Sequence, residues 1–436
     1  MRDLSNAGPG GLNLLTASEA RAQLDSGEIS SEELVRDCLT RIEAREPDID
    51  AWAFLDPDLA LTQARERDGE PSRGLLHGIP VGIKDIYDTA DMPTCYGTTI
   101  HNGHQPEADS EWVAALRDAG AVVFGKTRTT EFANPIPTST RNPHDLQRAP
   151  GASSSGSVAA VADFMVPLAT GSQTGGSVIL PASLCGLYGY KASFNGLPTG
   201  GVRHAKPSID TPGLFARCLD DVALMRAASL GIVPTTLDLP NDMPLRVGVC
   251  RTEAWPEALP ETVAMLAQAA EILVDAGAAV SDIEPPVEVS DAMAEFLTLL
   301  CTEDSRAISA DVGDRLDQIN SWAQKSIREA KDVTEAQYAN AKALAERARA
   351  AIDGIFDEFD VLITPSNRGE APTDRMSIEP SFFNRIWTLM YLPCLSLPVF
   401  TGPSGMPVGL QLVSRRDTDE RLLAMARWVE QRIALA

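Results

Sequence analysis

The sequence predicts an α/β protein, and three observations carry that expectation. Helix-patterned stretches alternate with short apolar runs, as where "DSEWVAALRDAG" leads into "AVVFGK". The same alternation returns from "VPLATGS" through "LYGYKAS" to "ARCLDDVALMRAASLG". The strand-like runs "DVLITP", "CLSLPVF" and "VGLQLV" then close the chain ahead of an amphipathic helix from about residue 417. Strands interleaved with helices layer into a sheet with helices packed on it.

Taken in order, the N-terminal region reads as helical. "TASEARAQL" and "SSEELVRDCLTRIEA" each open with a capping box, Thr16 with Glu19 and Ser30 with Glu33. Leu34, Cys38, Leu39 and Ile42 then recur at helical spacing. "GLLHGIPVGIKDIYD" contains an apolar strand that ends on Lys84. Residues 133–156 are dense in Pro, Ser, Thr, Asn and Gly, the composition of a linker or of a functional loop, and 133–148 is the expected lid. Past Pro240, "LRVGVC" and "AAVSDIE" read as strands flanking a helix over 261–276. A helical block over about 288–356 has the charge pattern of solvated faces and is assigned no chemistry.

With 436 residues the chain exceeds the usual size of one core, which predicts two or three domains. Its 44 % hydrophobic and 22 % charged residues suit a soluble globular protein. No apolar run approaches membrane-spanning length, and the first twenty residues lack the apolar core of a secretory signal. Seven scattered cysteines without a CxxC pair fit free thiols in a reducing cytoplasm, the expected location. A net charge of −24 argues against nucleic-acid partners. With five histidines, no HExxH and no paired ligands, neither a metal nor another cofactor is expected.

"GAVVFGKT", residues 120–127, satisfies the G-x-x-x-x-G-K-[ST] pattern of a phosphate-binding loop. Such a loop needs exposed N–H groups leading into a helix. Ala, Val, Val and Phe belong inside a strand, and Pro135 follows soon after, so a buried strand ending near a lysine is the better reading. The G-x-S-x-G turn of many hydrolases is absent.

"TGSQTGGSVILPAS" places Gly175 and Gly176 directly before Ser177. Acyl transfer needs a nucleophile, a base, and N–H donors aimed at a developing oxyanion. Bare backbone before a serine lets a carbonyl approach and lets the N–H groups of Thr174, Gly175, Gly176 and Ser177 form a donor nest. A tight strand-to-helix turn explains the glycines equally well. "APGASSSGS", residues 149–157, sets three serines in a glycine-bounded turn, and Lys84 emerging from a buried strand would lose its proton on desolvation.

Together these stretches resemble the amidase signature family of serine hydrolases. "GIPVGIKD" is similar to that family's lysine motif, "PGASSSGS" to its serine-rich stretch and "GSQTGGSV" to its nucleophile signature. The likeness continues through "PASLCGLYGYK", "IDTPGLFARCLDD", "DVLITP" and "MPVGLQLV", most of the chain. It implies Ser177 as nucleophile, Ser153 as a relay serine on a cis peptide bond, Lys84 as base and Ser154 as a supporting hydrogen-bonding residue. The backbone of 174–177 would form the oxyanion hole. The resemblance also implies a mixed, mostly parallel central sheet covered by helices on both faces. It further implies a single domain over 1–436, with a helical region at 1–65, a catalytic core at 66–235 and a helical excursion at 288–356, overruling the expectation from length.

Where relatives often carry Arg shortly after the nucleophile, this chain has Ile179 and Leu180. Those two residues, with Tyr391, are therefore the expected wall of a pocket for a neutral or apolar acyl group. Ala152, Ala192 and Thr388 are further departures from the family pattern. The expected activity is hydrolysis of a linear amide, anilide or carbamate, which makes the chain a urethanase candidate, with esterase side activity. The alternative is the glutaminase component of a tRNA-dependent amidotransferase. Expected partners are a small-molecule amide or carbamate and a second copy in a homodimer, with neither nucleic acid nor membrane.

Overall fold

A computed structural model describes residues 3–203, 206–239 and 244–435. Eleven strands form its sheet: β1 (Trp52–Leu55), β2 (Pro80–Lys84), β3 (Val122–Thr127), β4 (Leu168–Gln173), β5 (Tyr188–Lys191), β6 (Thr211–Ala216), β7 (Arg246–Cys250), β8 (Ala279–Ile283), β9 (Val361–Pro365), β10 (Cys394–Thr401) and β11 (Pro407–Val413). Their spatial order is β1-β3-β2-β4-β6-β5-β10-β11-β9-β7-β8.

The sheet is mixed, as expected, but among the described residues six of its ten pairings are antiparallel. Parallel pairing joins β2 to β3 and β4, and β7 to β8 and β9. Between these blocks, β5, β6, β10 and β11 pair antiparallel, and loop 402–406 closes β10 onto β11 as a hairpin. Short connections return the chain antiparallel, whereas a parallel neighbour needs a long crossover.

Both faces of the sheet are buried. Along β9, Val361 and Ile363 join one apolar cluster and Leu362 joins another, the period-two alternation of a strand between two layers. The first cluster takes in the N-terminal helices Ala17–Ser26 and Ser31–Ile49 and the wholly buried helix Ser155–Ala162. The second lies beneath the helices Val287–Ala294, Phe296–Val312 and Glu335–Asp353. Both predicted capping boxes form.

"GAVVFGKT" is a strand: β3 is buried along its whole length. The sequence reading omits two strands, β1 and β6. In "TPGLFA", Pro212 and Gly213 are residues that argue against a central strand. Residues 133–148 are fastened rather than hinged. Arg141 N donates to Ile49 O (2.9 Å), Thr140 Oγ1 to Asp50 O (2.7 Å), and Asn142 Nδ2 to Leu184 O (2.9 Å). Asn and Thr side chains that bond distant backbone turn a lid-like composition into a clamp.

Candidate active site

Parallel β2 and β4 end side by side, and their carboxyl ends carry the chemistry. The run Pro80–Lys84 is apolar because a parallel strand is covered on both faces, and its last side chain emerges into the crevice beyond the sheet. Lys84 is fully buried there. Its backbone N–H donates to Thr170 Oγ1 (2.8 Å), and Nζ donates to Ser153 Oγ (2.9 Å), Ser154 Oγ (2.9 Å) and Ser172 Oγ (2.8 Å).

Burial is the main cause that lowers the Lys84 pKa, to about 7; the nearby charge of Lys206 adds to it and Asp210 opposes it. A neutral amine donates two N–H bonds and accepts one, so among three hydroxyls one must point its proton at Nζ. Ser154 Oγ is 3.4 Å from Ser172 O, the direction of its own donation, and accepts from Ser172 N at 3.4 Å. Ser153 and Ser172 remain to supply the proton. Ser172 is a partner that sequence reading missed; its place at the end of a strand beside Lys84 was the available signal.

Ser153 and Ser154 precede the helix Ser155–Ala162, and Thr130 N donates to Ser153 O (3.3 Å). The expected cis peptide at Ser153 is corrected, since no cis bond occurs among the described residues. A cis bond at a non-proline residue costs about 3–4 kcal/mol, and the trans chain already brings Ser153 Oγ to Lys84. Ser177 Oγ accepts from Ser153 N at 3.3 Å. Its hydroxyl forms no hydrogen bond to Ser153 Oγ, the contact that a relay requires.

The glycine pair has a packing reason. A Cβ on Gly175 would lie 2.5 Å from Ser381 Oγ, and one on Gly176 would lie 2.7 Å from Asn384 Oδ1. Segment 381–384 presses against bare backbone. Among the described residues, the N–H groups of Gly175, Gly176 and Ser177 form no backbone hydrogen bond, which leaves donors around the half-buried Ser177. Gln173 orders the turn: Oε1 accepts from Val178 N (3.0 Å) and Ile179 N (3.1 Å), while Nε2 donates to Thr388 Oγ1 (3.0 Å). Thr174 Oγ1 bonds the Asp210 carboxylate. Gln173, Ser381 and Asn384 carry no motif of their own, and sequence reading missed them.

The three expected pocket residues are placed elsewhere. Ile179 packs among Val289, Ile386 and Trp387, and Leu180 among Leu184, Ala371 and Met406, both without exposed surface. They sit in a short helix, Ile179–Cys185, whose every residue is buried, so they fill core rather than line a cleft. Tyr391 donates to Ser208 O (2.8 Å), stacks on Phe194 with centroids 4.0 Å apart, and has the Arg349 guanidinium 3.5 Å from its ring. That ring is held on both sides and walls nothing. A cavity of about 570 Å³ lined by Cys95, Thr129, Thr130 and Thr138 backs onto the serine turn through Thr138 Oγ1, which donates to Ser155 Oγ (3.1 Å).

A strand-end lysine among hydroxyls, beside a serine on a glycine turn, defines a class of serine–lysine acyl-transfer sites. The chain belongs to the Amidase family, whose profile matches residues 33–423. It is 32 % identical to the amidase-type component of the glutamyl-tRNA(Gln) amidotransferase of Acidothermus cellulolyticus, over 95 % of this chain and 94 % of that protein. The component of the same name from Microcystis aeruginosa is 33 % identical, over 94 % and 95 %. Among solved structures, the native peptide amidase of Stenotrophomonas maltophilia superposes with a TM-score of 0.84 at 28 % identity, covering 97 % of each chain. Among the described residues, no helix is long and apolar enough to cross a membrane.

Proposed function

We propose that this chain cleaves a carboxamide C–N bond through an acyl-enzyme on Ser177, with Lys84 as the base. The observation that carries the reading is the amine of Lys84, buried among three hydroxyls with its pKa near neutrality, one residue away from the partner of Ser177. Neutral Lys84 takes the proton of Ser153 as a rotation about its Cα–Cβ bond turns Ser153 Oγ toward Ser177. Ser177 gives its own proton to Ser153 and attacks the carbonyl carbon. The N–H groups of 174–177 receive the oxyanion. Collapse breaks the C–N bond, with the proton returning along the same hydroxyls to the leaving nitrogen, and water then releases the acid.

Two substrate readings follow. The amidotransferase components, aligned over nearly the whole chain, support glutamine as the amide, with ammonia passed to a partner protein, and this reading has the broader support. Neutral Ser381 and Asn384 beside the glycine turn support a stand-alone hydrolase of a linear amide, anilide or carbamate, as does the likeness to peptide amidase. Incubating purified chain with L-glutamine and with a panel of primary amides, p-nitroanilides and carbamates separates them. Glutamine turnover alone favours the amidotransferase component, and turnover of neutral amides with glutamine untouched favours the stand-alone enzyme. No turnover of any of them, together with no labelling of Ser177 by a fluorophosphonate, ends the proposal.

A further inference from the structure

One buried charge cluster lies outside the serine–lysine machinery and within reach of its loop. Thr174 bonds Asp210, and Asp210 Oδ2 accepts from Lys206 N (2.9 Å). Lys206 Nζ stands 2.9 Å from Asp304 Oδ1 and 3.2 Å from Asn134 Oδ1, with the Trp322 ring centroid 5.7 Å away. Three elements converge here: the loop after β3, the segment before β6, and the helix Phe296–Val312. Lys206 is 2 % exposed, and Asp304 and Asn134 have no exposed surface.

A clamp holding the helical excursion to the sheet would explain an ion pair, but not its loose ends. Neither Asp304 oxygen has a well-aligned hydrogen bond, with Ser326 the nearest hydroxyl, and Asn134 Nδ2 has no acceptor. Buried carboxylates elsewhere in this protein are satisfied. Asp163 takes Arg45 Nε at 3.1 Å and Nη2 at 3.0 Å, with Arg41 beside it, and Asp419 binds Tyr190 Oη, Ser193 N and Ser193 Oγ. Burying a charge without completing its hydrogen bonds is costly, and a ligand that completes them recovers the cost.

We propose that Lys206, Asp304 and Asn134 bind the zwitterionic head of an amino-acid amide whose carboxamide reaches Ser177. The ammonium of the head donates to Asp304, and its carboxylate accepts from Lys206 Nζ and Asn134 Nδ2. The cation missing at Ile179 and Leu180 is thus supplied from another element, together with an anion. This deepens the amide-cleaving reading and rests on it. It replaces the expected apolar acyl group with a charged one.

The test uses Ser177→Ala protein, in which recognition is read without turnover. Calorimetry with L-glutamine and with butyramide is run on that background alone and with Asp304→Asn, Lys206→Met or Lys206→Met/Asp304→Leu added. Glutamine is expected to bind the parent and to lose about ten- to a hundredfold in affinity in each single variant, while butyramide changes little. The double variant, which swaps the pair for an apolar one of similar volume, is expected to fold and to prefer butyramide. Glutamine that fails to bind the parent, or that binds all four proteins alike, overturns the inference. A failure of the nucleophile reading looks different: glutamine binds as expected, and the wild-type chain forms no fluorophosphonate adduct at Ser177.

Discussion

Lys84 and Lys126 stand on neighbouring parallel strands, with Lys126 in register opposite Ile83, and both are buried. Lys126 Nζ donates to Tyr87 O (2.7 Å) and Thr89 Oγ1 (3.2 Å), with the Asp85 carboxylate 3.6 Å away. Lys84 has three hydroxyls and, among the described residues, no ion pair. Burial lowers both pKa values, and Asp85 offsets part of that loss for Lys126, which settles at about 8 against about 7 for Lys84. The same side chain thus does opposite work one strand apart. A carboxylate and a carbonyl keep an amine charged and make it a tether, whereas hydroxyls alone let it shed its proton and act as a base.

The comparison breaks most visibly at the nucleophile. Ser177→Ala is expected to lower turnover by about 10⁴-fold or more and to abolish fluorophosphonate labelling, read by mass spectrometry of the intact chain. Next comes Lys84→Met, which removes the base and is expected to lower kcat by about 10³-fold at neutral pH while the far-ultraviolet circular dichroism stays native. Ser153→Ala sharpens the account of the proton path: a loss of about 10²-fold or more supports a relay, and a loss under about tenfold means that Lys84 receives the proton of Ser177 without it. Gly176→Ala drives a Cβ toward Asn384 and is expected to cost about ten- to a hundredfold in kcat by displacing the donor turn. The smallest catalytic effect belongs to Lys126→Met. Its kcat is expected to stay within about threefold of wild type, while urea unfolding shows a loss of about 3 kcal/mol because Asp85 is left buried with only backbone donors from Cys95 and Gly97.

The serine–lysine end of the sheet was legible because its residues sit in contiguous motifs, each short enough to show its purpose. "GIPVGIKD" spells a buried strand with a terminal amine, and the glycine pair announces a close approach. What makes that approach necessary, segment 381–384, lies some two hundred residues away and carries no local signal. Ile179 and Leu180 misled for a related reason: apolar residues after a nucleophile read equally as cleft or as core, and the buried short helix made them core. Asp304 was invisible inside a helical block whose charge pattern looks solvated, because only tertiary packing buries it. Strand existence was largely readable from apolar runs, while strand direction was not, since pairing is set by connections and by neighbours distant in sequence.

The central claim is a neutral lysine that reaches a serine at physiological pH. A depressed lysine pKa means that the competent, unprotonated form is gained as pH rises through about 7 and lost below it. The rate of fluorophosphonate labelling of Ser177, followed from acidic to alkaline pH, tests this directly. The account predicts a rate that climbs with a midpoint near 7 in wild type and a slow rate in Lys84→Met that lacks this rise. A wild-type rate flat across neutrality, or a Lys84→Met protein that keeps the same midpoint and speed, would contradict it.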